Sequence, residues 1–218
     1  MSKLVWDQTG ERLYETGIEQ VALYPQSNGT YPAGVAWNGV TALNITPSGA
    51  EPTPLYANDH KYVTLMSVEE LGGTIEAYTY PNEWAACDGS AELAPGVYIG
   101  QQARNAFGLV AKTLVGNDEE FTKYGYKLHL IYGGLASPTE NANATVNDSP
   151  EAKIMSWEFS TTPVEVQGFE PTSYICLNST EVDADKLTAL EAILYGSDSE
   201  EPRLPLPDEI ATMFAAAG

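Results

Sequence analysis

The chain alternates more than it winds. In Ile154-Met155-Ser156-Trp157-Glu158-Phe159-Ser160, Met155, Trp157 and Phe159 fall on one side and Ser156, Glu158 and Ser160 on the other. That period of two belongs to a strand with one buried face. Lys127–Tyr132 repeats it, with Leu128, Leu130 and Tyr132 together. Runs rich in Val, Ile, Thr and Tyr, punctuated by Gly, Pro and Asn, predict further strands over 18–24, 33–45, 61–67, 73–80, 95–102, 105–115 and 172–178. So many strands without alternating helices predict a mainly β chain, an antiparallel sandwich or barrel. The pair Asn38-Gly39 inside 33–45 fits either a two-residue hairpin turn or a kink in one long strand, and the kink is the preferred reading.

A helical period shows only near the end. Thr180-Glu181-Val182-Asp183 resembles a capping box, Leu187, Leu190, Ile193 and Leu194 form an apolar stripe, and Gly196 supplies a stop. These predict a flanking helix over 180–195. A polar, Pro-containing connector leads to a short C-terminal helix, with Pro207 in its first turn and Ile210, Met213 and Phe214 on one face. The expected organisation is a β-sandwich domain over 1–196 and a C-terminal extension or arm over 197–218. Two stretches predict long loops: 46–60, with three prolines, and the polar 136–150.

Composition narrows the function. Thirty acidic residues against ten basic ones leave a formal charge of −20 over 218 residues. A surface that grips nucleic acid or an anionic membrane needs clustered Lys and Arg, so both classes are disfavoured. MSKLVWDQTGERLYE has no apolar core of a leader, and no run approaches the roughly 20 apolar residues of a membrane helix. The chain is therefore expected to be made and folded in a cytosol, with Cys87 and Cys176 reduced.

Candidate chemistry is sparse. His129 lies mid-strand on the side opposite its flanking leucines, and a lone histidine carries little specificity. His60 follows Asp59 in a loop, a weak general-base hint. Around Cys87 stand Glu83, Asp88 and Glu92, which raise a thiol pKa and favour a structural cysteine over a nucleophile. Ser90 sits in D-G-S-A, outside any nucleophile elbow. Asn117-Asp118-Glu119-Glu120 lacks the spacing of a calcium loop and reads as a solvated turn. No catalytic, cofactor-binding or metal residue is expected. The thirteen tyrosines, several beside Pro or Asn, suit either sheet interiors or interfaces.

Five segments together carry a resemblance: GVAWNGVTALNITPSGAEPTPLYANDHKYVTLMS (34–67), TIEAYTYPNEWAACDGSAELAPGVYIGQQAR (74–104), YKLHLIYGGLASP (126–138), STEVDADKLTALEAILYG (179–196) and LPLPDEIATMF (204–214). In order and over nearly the whole length, the chain resembles major tail proteins of long-tailed, siphovirus-type bacteriophages, the subunits of the tail tube. Ala57-Asn58-Asp59 departs from the Ala-Asp-Asn order of that pattern, a reshuffle of turn residues. The resemblance implies a β-sandwich with a flanking helix. It implies homohexameric rings whose sheets join into an inner barrel and stack into a hollow virion tail, made in a host bacterial cytoplasm. Partners would be further copies of the chain, the tape measure, tail terminator and baseplate or tip proteins, with double-stranded DNA only in transit during ejection. By position, Pro47, Glu51, Pro54, Tyr56, Asn58, Asp59 and His60 of the 46–60 loop, and Ile210, Met213 and Phe214 of the tail, are the expected subunit contacts. An acidic lumen would let DNA slide, since it offers phosphate no counter-charge. Two rivals come from other classes: a carbohydrate-binding β-sandwich adhesin, and a hydrolase using His60 or Cys87.

Overall fold

The computed structural model describes residues 3–49, 51–140, 142–143, 145 and 152–215. In chain order the strands are β1 Tyr14–Pro25, β2 Val35–Ala36, β3 Val40–Gly49, β4 Pro52–Ala57, β5 His60–Met66, β6 Glu69–Ala77, β7 Ala91–Ala94, β8 Val97–Ile99, β9 Phe107–Asn117, β10 Phe121–Ala136, β11 Met155–Thr161 and β12 Tyr174–Asn178. The helices are α1 Ala85–Asp88, which continues a 3-10 turn at Asn82–Trp84, α2 Ala184–Tyr195 and α3 Pro207–Phe214. The chain is mainly β, a sandwich of antiparallel strands with flanking helices, as the alternation predicts.

One long strand decides the architecture. β10 pairs with β9 along most of its length. On its other side it meets β12 through Lys127–Ile131, then β11 through Gly134–Ala136. The change of partner falls at Gly133, in the left-handed region at φ +62, where a Cβ would lie 2.1 Å from the Thr162 carbonyl oxygen. Only glycine fits there without moving backbone. The fork turns one sheet into two layers, in the path β2-β1-β9-β10-β11-β6-β3 with β12 beside β10.

Side-chain alternation then fills two cores. Leu109, Ala111, Val21, Leu23 and Ile131 face inward against Ile75, Ala77, Trp157 and Phe159 of the second layer. Trp37, Trp84 and Phe107 join them, with Trp84 edge-on to Phe107 at 5.0 Å. From the opposite side of the same strands, Ala22, Tyr24, Val110, Leu128, Leu130 and Tyr132 meet Leu187, Leu190 and Leu194 of α2, Leu204, and Ile210 of α3. Each fully buried Leu or Ile contributes about 1.5–3 kcal/mol. Tyrosine hydroxyls fix this second core: Tyr24 donates to the Leu194 carbonyl at 2.6 Å and Tyr132 to that of Pro205 at 2.9 Å.

Several expectations change. The run 33–45 is two strands: β2 pairs with β1 and β3 with β6, so Trp37–Gly39 is a corner between layers, with Gly39 at φ +75. Of the expected strand 95–102 only Val97–Ile99 is strand: it is β8, paired with β7 in a small hairpin that turns at Pro95-Gly96. Helix α2 starts at Ala184 because Asp183, not Thr180, caps it, accepting from Asp185 N at 3.1 Å and Lys186 N at 3.0 Å. Thr180 bonds back to Asn178 instead. Residues 197–215 are not a separate arm: Leu204 bridges to Tyr31 and Ile210 is 5% exposed in the shared core. Residues 141, 144 and 146–150 of the expected 136–150 loop, and 216–218 of the tail, lie outside the described residues.

Candidate assembly surfaces

Among the described residues, three of the places that leave strand backbone or apolar side chains uncovered belong to the strands. The first is the 46–60 segment, expected as a loop. Its first four residues extend β3, and the rest is mostly hairpin. β4 pairs with β5 from Pro52↔Met66 to Ala57↔His60, turning at Asn58 and Asp59 with φ +50 and +63. Both positive angles fit a type I′ turn, whose twist matches that of the strands it joins. The hairpin continues the β3–β6 ladder, which runs to Gly49↔Glu69. Three prolines misled the sequence reading because proline is tolerated on edge strands, where its missing N–H is not needed.

This arm buries almost nothing. Tyr56 is 70% exposed, Tyr62 73%, Met66 69% and Val68 81%, with Leu55, Val63 and Leu65 also exposed. Pro47, Glu51, Pro54, Tyr56, Asn58, Asp59 and His60 are all exposed along it, so seven of the expected contact residues share one projection. Ile210, Met213 and Phe214 do not join them, because they pack against the protein's own α2 core. Tyr62, Val63, Leu65, Met66 and Val68 belong to the same arm and were missed. Their signal was the apolar content of 62–66, within the expected strand 61–67.

The second place is the outward face of β3-β6-β11. The register sets Asn44, Thr74 and Glu158 side by side, and next to them Ala42, Glu76 and Ser156, then Thr46, Gly72 and Ser160. Asn44 Nδ2 donates to Thr74 Oγ1 at 2.9 Å. With Ser48 opposite Glu70, this face holds small polar and acidic side chains and no Lys or Arg among the described residues. Among those residues nothing pairs with the outer edge of β3. Ser156, Glu158 and Ser160 were legible from the alternation; the residues beside them needed the register. The third place is the β7–β8 hairpin, with Leu93 68%, Val97 50% and Tyr98 52% exposed.

The candidate chemical groups are placed elsewhere. Cys87 is fully buried beneath Trp84 and Phe107, and burial, then Asp88, pushes its thiol up to about 12. No thiolate forms there near neutral pH. Cys176 is exposed, and both cysteines are free. His60 is exposed, its Nδ1 2.9 Å from the Asn58 carbonyl, and it forms no ion pair among the described residues. His129 is half-buried with both ring nitrogens engaged, Nδ1 at 2.6 Å from Tyr174 Oη and Nε2 at 2.8 Å from Thr113 Oγ1. Burial lowers its pKa, which holds it neutral. The Asn117–Glu120 segment is a turn, in which Asn117 Oδ1 accepts from Glu119 N and Glu120 N while Asp118 accepts from Gly10 N. Among the described residues no cluster of three metal-ligating side chains occurs, and no helix is long and apolar enough to cross a membrane.

No protein-family model matches the chain, and no curated protein matches it.

Proposed function

We propose that the chain is a structural subunit of a phage tail tube, assembling as stacked six-membered rings around an acidic channel for DNA. The observation that carries this reading is the outward face of β3-β6-β11, a sheet face of Ser, Thr, Asn and Glu without a cation, ending among the described residues in an unpaired strand edge. An open edge in a soluble chain is a hazard unless another strand covers it, and a closed ring covers every such edge. A wall without Lys or Arg repels phosphate and gives it nothing to grip. The β4–β5 arm adds support, because a projecting hairpin with six exposed large apolar side chains, and Val68 just beyond it, is a surface suited to burial by a neighbour. The full-length resemblance names the assembly that combines these features.

The test is negative-stain electron microscopy across a protein and salt series, with mass by light scattering. Each copy carries −20, so self-repulsion opposes association and salt relieves it. Rings or tubes of six-fold symmetry, promoted by salt, are the expected outcome. A particle that stays monomeric at high salt and high concentration and binds glycans would overturn the reading in favour of the adhesin.

A further inference from the structure

We infer that the cleft around Arg104 is a socket for a carboxylate supplied by a second copy of this chain. The inference rests on the tube-subunit reading for its setting, and on the cleft for its chemistry. The cleft is about 450 Å³ and is lined by Arg104, Lys153, Asp88, Ser156, Tyr80 and Trp157 among others. Arg104 lies half-buried across the turn that ends α1. Gly89 makes room for it: at φ +87, a Cβ there would stand 3.1 Å from Arg104 Cζ. Arg104 Nε is sealed from solvent and has no acceptor among the described residues.

A guanidinium is always charged and asks for a planar, two-oxygen acceptor. The nearest candidate does not serve. Asp88 lines the same cleft, but it forms no ion pair with Arg104 and its Oδ1 accepts from Ser90 N at 3.0 Å. Four other cations have a carboxylate partner, Arg12 with Asp118, Lys112 with Glu19, Lys127 with Glu15 and Arg203 with Glu209, while Lys3, Lys61 and Lys123, which form no ion pair among the described residues, stand exposed in solvent. Arg104 is therefore a half-buried cation that lines a cleft without an ion pair among the described residues, in a chain with thirty acids and ten bases. Charge complementarity points to another copy, because every neighbour in a homo-oligomer brings twenty surplus negative charges. The position agrees, since Met155, Ser156 and Trp157 of β11 line the cleft and also belong to the layer that carries the outward acidic face. A carboxylate entering there would turn part of the mutual repulsion into a specific contact.

The test mixes unlabelled and 15N-labelled Arg104→Lys protein under assembling salt. A carbodiimide then joins amines to carboxylates in direct contact, and the digested peptides are read by mass spectrometry. Expected are peptides in which the new amine at position 104 of one isotope is joined to an Asp or Glu of the other. Links from that amine only within one isotope, to Asp88 or Glu140, or no link at all, would overturn the socket. Because an ammonium holds a carboxylate less well than a guanidinium, Arg104→Gln gives a second readout. The concentration needed for assembly should rise at least about tenfold with the monomer melting temperature unchanged, and unchanged assembly counts against the socket. Grids of the same samples separate the two ideas. Rings without isotope-mixed links or sensitivity to Arg104→Gln remove the socket and keep the tube; mixed links without rings do the reverse; neither removes both.

Discussion

β9 and the β4–β5 arm are both antiparallel strand, yet they stand at opposite ends of burial. From Phe107 to Ala111 every residue of β9 is buried, because the second layer covers one face and the helices the other. Along β4 and β5 nearly every residue is exposed on both faces. Their compositions differ little in apolar content. What differs is whether this chain supplies the cover. A two-stranded ribbon is marginal alone in water, and the arm persists as a continuation of the anchored β3–β6 ladder. One strand is covered on both faces by this chain, and the other is left uncovered by the described residues. Tyrosine shows the same split: Tyr24 and Tyr132 reach buried carbonyls with their hydroxyls, whereas Tyr56 and Tyr62 stand in solvent.

The sharpest way to break this contrast is a pair of truncations. Leu109→Ala, in the fully buried strand, should cost roughly 2–5 kcal/mol of unfolding free energy. Tyr62→Ala, on the arm, should stay within about 0.5 kcal/mol and instead weaken assembly. Urea unfolding of both proteins, with particle mass measured beside it, decides the matter. A large loss of monomer stability from Tyr62→Ala would mean that the arm is part of the core after all. Tyr24→Phe is a gentler probe of the covered side. It leaves the Leu194 carbonyl at the end of α2 without its donor and should cost about 1–3 kcal/mol, read as a shift of the unfolding midpoint at constant slope.

The smallest expected effect concerns how the C-terminal segment closes over the core. Arg203 donates to both oxygens of Glu209, at 2.8 and 2.6 Å, and holds that carboxyl below its usual pKa. A depressed carboxylate stabilises the fold fully above its unfolded pKa of about 4.3. The contribution disappears as pH falls through the lower folded value. Both partners are about two-fifths exposed, at 42% and 41%, so solvent screening limits the pair to under about 1 kcal/mol. Thermal unfolding of Glu209→Gln should match the parent at low pH and fall slightly short of it at pH 7. A constant gap at all pH values would exclude the ion pair as its source.

Much of the fold was legible one strand at a time. The Met155–Ser160 alternation named both faces of β11, and the stripe from Leu187 to Leu194 identified α2 and its buried side. Misreadings came where a short-range signal had a long-range owner. Thr180 looked like a cap, but Asn178 holds it and Asp183 caps the helix. Ile210, Met213 and Phe214 looked like an outward stripe, since only the folded sheet offers Leu128, Leu130 and Tyr132 for α3 to meet. The cleft around Arg104 was not legible, because it draws on residues from 80 to 157.

By itself the sequence determined the fold class: alternation demands strands with buried faces, while thirty acids against ten bases only disfavour a phosphate grip. Only the tertiary structure decided which strands are covered and which are left exposed. Period-two patterning says that a side chain has a face, and not what lies against it. That depends on the fork at Gly133, the corner at Trp37–Gly39 and the docking of α2 and α3, contacts between residues far apart in the chain.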